Sequence, residues 1–158
     1  IQGLSQESKQ ADYEILSMIK KLETKKEDEI LVLDGSQCPD IVPILSLRAA
    51  LTPGKTMIQN IERLKIKECD RLHATAEILN QLGAKVIEHT TSLEFDGVSH
   101  LIGNSVSSFG DHRMAMMIAI ASSCCQGEII LDDGNCVSKS YPNFWEDFKQ
   151  LGGNYELG

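Results

Sequence analysis

With 158 residues, 42% of them hydrophobic and 24% charged, the chain is long enough to bury one core and has an ordinary globular composition. No apolar run approaches the ~18 residues of a membrane span, and a formal charge of −8 argues against nonspecific nucleic-acid binding, which needs many Lys and Arg to neutralise phosphates. The five cysteines show no CxxC spacing, so neither a disulfide framework nor a zinc site is expected, and a reducing, cytoplasmic setting fits them.

The chain opens at Ile1 on a polar stretch, with neither an initiating Met nor a signal pattern, and reads as a piece of a longer protein. Apolar spacing at Ile15, Leu16, Ile19 and Leu22 predicts a helix over 12–22, followed by a solvated turn over 24–29. Ile30-Leu31-Val32-Leu33 is a short apolar strand. Asp34-Gly35-Ser36-Gln37-Cys38-Pro39 is turn chemistry, and Asp40 stands where an N-cap would, ahead of an apolar helix running to Leu51. A strand over 55–62 comes next, then the charged run Lys65-Ile66-Lys67-Glu68-Cys69-Asp70-Arg71, then an amphipathic helix ending Gln81-Leu82-Gly83. Val86-Ile87-Glu88-His89 and Leu93-Glu94-Phe95 predict a hairpin across Thr90-Thr91-Ser92. Asp111-His112-Arg113 then opens a helix, Met114 through Ala121, that is apolar on every side and so buried, with its three methionines in the core. A strand over 128–131, a loop holding Lys139 and a helix closing on Gln150-Leu151-Gly152 follow.

The second half echoes the first. Asp40 precedes Gly54 by 14 residues and Arg113 precedes Gly127 by 14; each Gly is followed by a strand, a charged loop and a helix ending Gln-Leu-Gly. Gly there is a common left-handed helix C-cap, and the matching offsets turn a weak tripeptide match into a duplication. The expected architecture is α/β, with strand-helix repeats and added antiparallel pairing. The repeats divide as 1–33 (the end of one), 34–110 (a second) and 111–158 (a third).

The notable charges sit at four strand-to-helix junctions: Asp40; Lys67, Glu68 and Arg71; Asp111, His112 and Arg113; and Lys139. Repeats packed side by side would bring these junctions to one end, where free N–H groups and the positive ends of helix dipoles attract anions. Arg grips planar carboxylate or phosphate in bidentate fashion and Lys adds a mobile point charge, so the set suits a small phosphorylated carboxylic acid. A carboxylate beside bound anions is costly unless it handles protons, which makes Asp40 and Glu68 candidates for general base and general acid. Plainer readings stand beside these: Asp40 and Asp111 as helix caps, Glu68 and Arg71 as a surface ion pair, and His112 as a structural junction residue.

Lys67-Glu68-Cys69-Asp70-Arg71-Leu72 and Asp111-His112-Arg113-Met114-Ala115-Met116, with the 34–40 loop and the Lys139-Ser140-Tyr141-Pro142 turn, resemble the 5-enolpyruvylshikimate-3-phosphate synthase family. The resemblance runs from about Asp34 to about Phe148. It implies an inside-out α/β barrel-like domain of βαβαββ units, 1–158 being a partial enolpyruvyl transferase domain. It also implies transfer of the enolpyruvyl group of phosphoenolpyruvate to the 5-hydroxyl of shikimate 3-phosphate, in aromatic amino acid biosynthesis, without a metal or other cofactor. By that resemblance Asp40 meets the 5-hydroxyl and accepts its proton, and Glu68 protonates the phosphoenolpyruvate methylene. Lys67 binds shikimate 3-phosphate, Arg71, Arg113 and Lys139 grip phosphoenolpyruvate, and Asp111 and His112 shape the pocket, where glyphosate is expected to compete. Arg63 departs from the pattern, standing where several members carry an Asn that contacts the shikimate phosphate. The family's other domain supplies further substrate-binding groups that this chain lacks, so the chain alone is not expected to turn over. The alternatives are a UDP-N-acetylglucosamine enolpyruvyl transferase, which typically has Asp-Leu-Arg in place of Asp111-His112-Arg113, and a non-catalytic anion-binding module.

Overall fold

Residues 9–156 are described by a computed structural model. The helix predicted over 12–22 is present, tightened at its start: a 3-10 turn, Ala11–Glu14, leads into α1 (Ile15–Thr24), which buries Met18 and Leu22. From there the chain runs β1 (Leu31–Asp34), α2 (Val42–Ala50), β2 (Lys55–Gln59), α3 (Arg71–Gln81), β3 (Lys85–Glu88) and β4 (Ser92–Asp96), the βαβαββ order that the resemblance implies. These strands form one sheet in the order β1-β2-β4-β3, with β1 and β2 parallel and β4 antiparallel to both its neighbours. The predicted hairpin is the β3–β4 pair, registered with Val86 opposite Phe95.

Alternation along the strands explains which face is covered. Leu33, Ile58, Leu93 and Phe95 are buried, whereas Val32 and Ile87 stand exposed on the other face. Helices α2 and α3 pack on the inward face, and with α4 (His112–Ser122) they pack against one another. Helices inside and strands outside is the inside-out arrangement. Helix α4 is buried on most sides but not all: Met114 and Met117 are sealed in the main core, Met116 is only partly covered against a smaller cluster of Ala115, Ala119, Cys136, Val137, Phe144 and Phe148, and Ile120 is exposed, so the expected burial on every side is not met there. The two phenylalanines belong to α5 (Phe144–Gln150).

Two predicted strands are shorter than expected. The one expected over 55–62 stops at Gln59 because Asn60 is left-handed (φ 60), which breaks the pleat at a residue type that tolerates it, and Glu62–Ile66 continues as a 3-10 turn. The one expected over 128–131 is reduced to β8 (Ile130–Leu131), with β7 (Cys125–Gln126) separated from it by Gly127 at φ 90. Each pairs in parallel with a short partner that the sequence pattern did not reveal, β7 with β5 (Leu101–Ile102) and β8 with β6 (Ser105–Val106). No helix among the described residues is long and apolar enough to cross a membrane.

Candidate functional site

The predicted site residues lie beyond the C-terminal ends of the parallel strands: Asp40 after β1, Lys67 and Glu68 after β2, Asp111 to Arg113 after β6, and Lys139 after β8. Parallel strands connected by inward helices return each junction to the same end, and six of these side chains meet there.

Arg71 is the hub. It is the first residue of α3, which is capped by Asp70 accepting the His73 amide at 3.1 Å. Its side chain is 1% exposed, and its donors are divided among three carboxylates. Nε donates to Asp111 Oδ2 at 2.7 Å and Nη2 to Asp111 Oδ1 at 3.3 Å; Nη1 donates to Asp40 Oδ1 at 2.9 Å, and Nη2 also meets Glu68 Oε2. A buried guanidinium needs such partners. Burial opposes its charge, but the bond and charge of Asp111, with Glu68 and Asp40, outweigh it and raise the pKa.

Asp111 is fully buried and does two things at once: it caps α4 by accepting the Arg113 amide at 2.8 Å and it pairs with Arg71. Burial works to raise its pKa, yet the Arg71 bond, the Arg113 amide and the Arg71 and His112 charges hold it below the usual carboxylate range. The plain cap reading of Asp111 therefore holds, and the same carboxylate also pairs with Arg71. The cap reading of Asp40 does not hold. Asp40 lies inside a 3-10 turn, Pro39–Ile41, makes no cap bond, and α2 begins at Val42 with Pro43 beside it. Pro has no N–H to offer a cap at that place.

Asp40 is instead surrounded by cations: Lys67 Nζ at 3.2 Å, Arg71 Nη1 at 2.9 Å and Arg113 Nη2 at 2.9 Å, with Arg113 Nη1 also reaching its carbonyl at 3.4 Å. Partial burial pushes its pKa up, and the Lys67 bond with the charges of Arg113, Lys67 and Arg71 pulls it below the ordinary value. The site grades from Asp111 and Arg71 in the interior, through Lys67, Asp40 and Arg113 at about a third exposed or less, to Glu68 at 43% on the rim. The plainer reading of Glu68 and Arg71 as a surface ion pair therefore fails for Arg71, which is sealed, while Glu68 stays at the rim. Lys139 sits at the edge, donating from Nζ to the Gly110 carbonyl at 3.2 Å. His112 is buried, its Nδ1 4.0 Å from Asp111 Oδ1 and without a hydrogen-bond partner among the described residues. Arg63 is exposed in the 3-10 turn before the site.

Sequence reasoning missed the residues that hold the junctions. Asp34, ending β1, accepts from the Ser36 amide at 2.9 Å and from Asn60 Nδ2 at 2.8 Å. Asp132, just past β8, accepts from Ser107 and Ser108. The signal was there: Leu31-Val32-Leu33-Asp34 and Ile129-Ile130-Leu131-Asp132 are the same apolar run ended by Asp. A hollow of about 820 Å³ lies at the opposite end of the sheet between Glu27, Gly54 and Asp96 and includes none of the site residues. Among the described residues no group of three His, Cys, Asp or Glu side chains is arranged to hold a metal ion.

Chemically, the arrangement is a set of fixed cations interleaved with ionised carboxylates, able to bind small anions and to move protons beside them. Known proteins resemble this chain in sequence. The family model for EPSP synthase (3-phosphoshikimate 1-carboxyvinyltransferase) matches residues 1–148. A 3-phosphoshikimate 1-carboxyvinyltransferase of Clostridium botulinum (strain Alaska E43 / Type E3) is 48% identical across 98% of this chain and 39% of its own length. That of Clostridioides difficile (strain 630) is 46% identical, over 99% of this chain and 39% of its own length. The solved EPSP synthase of Acinetobacter baumannii superposes with a TM-score of 0.68 at 26% identity, covering 74% of this chain and 28% of that one. The chain thus spans about two fifths of the length of the curated relatives it matches.

Proposed function

Because the chain belongs to the EPSP synthase (3-phosphoshikimate 1-carboxyvinyltransferase) family, we propose that it supplies one side of the active site of an enzyme that transfers the enolpyruvyl group of phosphoenolpyruvate to the 5-hydroxyl of shikimate 3-phosphate. The remaining substrate contacts would come from a second domain, and the whole would act in the cytoplasm. The observation that carries this reading is the convergence of Lys67, Arg71 and Arg113 on Asp40, with Glu68 joined to the same cluster through Arg71.

The residue types fit the chemistry. In addition, a proton reaches the methylene carbon of phosphoenolpyruvate while the 5-hydroxyl oxygen bonds to the central carbon and loses its proton, giving a tetrahedral phosphoketal. In elimination, the carbon–oxygen bond to phosphate breaks and a methyl proton leaves, restoring the enol ether. Two carboxylates among fixed cations serve both steps: Asp40 takes the hydroxyl proton and Glu68 gives and retrieves the carbon proton. Lys67 holds the acceptor. Arg71, Arg113 and Lys139 grip the carboxylate and phosphate of phosphoenolpyruvate, with Asp111 and His112 supporting the pocket from below. Substrate anions arriving on Arg113 and Arg71 would compete with Asp40 for those cations. Losing them raises the Asp40 pKa, so the base strengthens when its substrate is present.

The test is phosphate release from phosphoenolpyruvate by this chain mixed with the part of the Clostridium botulinum relative outside the match, with shikimate 3-phosphate and UDP-N-acetylglucosamine compared as acceptors. Release with shikimate 3-phosphate alone is expected. Release with the nucleotide sugar, or with neither acceptor from a folded and associated mixture, overturns the reading.

A further inference from the structure

The placement of Asp111, Arg113 and Lys139 depends on one short loop whose backbone is not stable by itself. Phe109 (φ 54) and Gly110 (φ 65) are both left-handed. Gly adopts that conformation freely; Phe does not, and such a residue persists only where its surroundings over-determine it.

The determining contacts converge on Asp132. Ser107 Oγ donates to its Oδ2 at 2.5 Å, and Ser108 donates to its Oδ1 through both the backbone N–H (2.7 Å) and the hydroxyl (3.0 Å). Because each hydroxyl gives its one proton to the carboxylate, its lone pairs are left for the loop. Ser107 Oγ accepts the Phe109 amide at 3.0 Å, and Ser108 Oγ accepts the Gly110 amide at 3.2 Å. The Ser108 carbonyl accepts the Asp111 amide at 3.0 Å, and the Gly110 carbonyl, turned outward by this geometry, accepts Lys139 Nζ at 3.2 Å. One carboxylate therefore orients two hydroxyls, and these orient the two left-handed amides that immediately precede the buried partner of Arg71.

On the reading of the site given above, we propose that Asp132 is a positioning residue: through Ser107 and Ser108 it fixes the Phe109–Gly110 turn. It thereby sets the pairing of Asp111 with Arg71 and the docking of Lys139.

The experiment is hydrogen exchange of this chain by NMR, following the Arg71 Nε–H and the Phe109 and Gly110 amides, together with titration by phosphoenolpyruvate. In Asp132→Ala the Arg71 Nε–H and both loop amides are expected to exchange at least tenfold faster, while the Val86 amide, bonded to Asn80 in the hairpin, is unchanged. Phosphoenolpyruvate affinity should fall about tenfold, and Asp132→Asn, which keeps the Oδ1 acceptor for Ser108, should recover most of both effects. If Asp132→Ala does not fold, Ser107→Ala, which removes a single bond on each side, is expected to show the same local loss. Unchanged Arg71 Nε–H exchange in a folded variant overturns the proposal, as does faster exchange with undiminished affinity. Where the wild-type chain protects Arg71 Nε–H but does not bind phosphoenolpyruvate by itself, the titration is repeated with the complementing part of the relative; failure to bind there tells against the proposed function instead, and the exchange data then decide the role of Asp132 by themselves.

Discussion

Arg71 Nε lies 2.7 Å from Asp111 Oδ2, and both side chains are sealed from solvent, although they are 40 residues apart in sequence. Their pairing joins the start of α3 to the start of α4 and makes the floor of the site. Removing one partner of a buried pair strands the other charge, at a cost of about 3–5 kcal/mol, with loss of a helix cap adding about 1 kcal/mol. Asp40 and Glu68 still hold the guanidinium, which places Asp111→Ala toward the lower end of that range. Urea denaturation should show the loss. The double variant with Arg71→Met should lose less than the sum of the two singles, because no uncompensated charge remains. Simple additivity would mean that the pair is not coupled.

Protonation couples to stability with opposite signs in two places. Asp40 and Asp111 have folded pKa values below the ordinary 3.8, against burial, because of their cationic partners. Their contribution is therefore present above about pH 4 and lost as pH falls through the folded values. His73 is raised above the ordinary 6.5, first by its bond to Glu88 at 2.9 Å, against some burial, and then by the charges of Glu88, Glu77 and Asp70. Its contribution is complete below about pH 6.5 and lost as pH rises through the folded value. Melting temperature should be highest between these limits, and His73→Asn should flatten the alkaline side. An alkaline decline unchanged in that variant would remove His73 from the account.

Cys69 stands in the middle of the charged run but is chemically quiet. Burial pushes its thiol up to about 12, reinforced by the Asp111 charge and by donation to Asp111 Oδ2 at 3.6 Å, with Arg71 opposing. The thiolate is the nucleophile, so at pH 8 iodoacetamide should leave Cys69 unmodified in the folded chain and label it in urea, as read by peptide mass spectrometry. Cys69→Ser keeps a donor toward Asp111 and should cost no more than about 1 kcal/mol. Rapid native labelling would show that the junction opens.

Local signals carried far in this chain. Apolar alternation placed β3 and β4, periodicity placed α3 and α4, and the duplicated offsets implied that the charged junctions share one end. What was not visible was depth. Arg71 reads in sequence like its exposed neighbours Arg63 and Lys65, and only Asp111, distant in the chain, shows that it is buried. Asp40 looked like a cap because Asp commonly is one; Pro43 and the cations from two other junctions gave it a different position. Strands of two residues, such as β5 and β7, carry too little pattern to be seen, and they pair with partners more than twenty residues away.

The two carboxylates proposed to handle protons also occupy the cations that a substrate would need, and this gives them separable effects. Asp40 neutralises Arg113, Lys67 and part of Arg71, so Asp40→Asn leaves those charges free and should hold phosphoenolpyruvate as tightly as the wild type, or more tightly. The same variant cannot accept the hydroxyl proton and should lose about 10²–10⁴-fold in turnover in the completed enzyme. Glu68→Gln should behave alike in turnover, but with a smaller gain in binding, since among the described residues Glu68 pairs with Arg71 and no other cation, and it sits more exposed. Calorimetric titration beside phosphate-release kinetics separates the two quantities. Weakened binding with unchanged turnover in either variant would make that residue a structural partner of the cations and not a proton carrier.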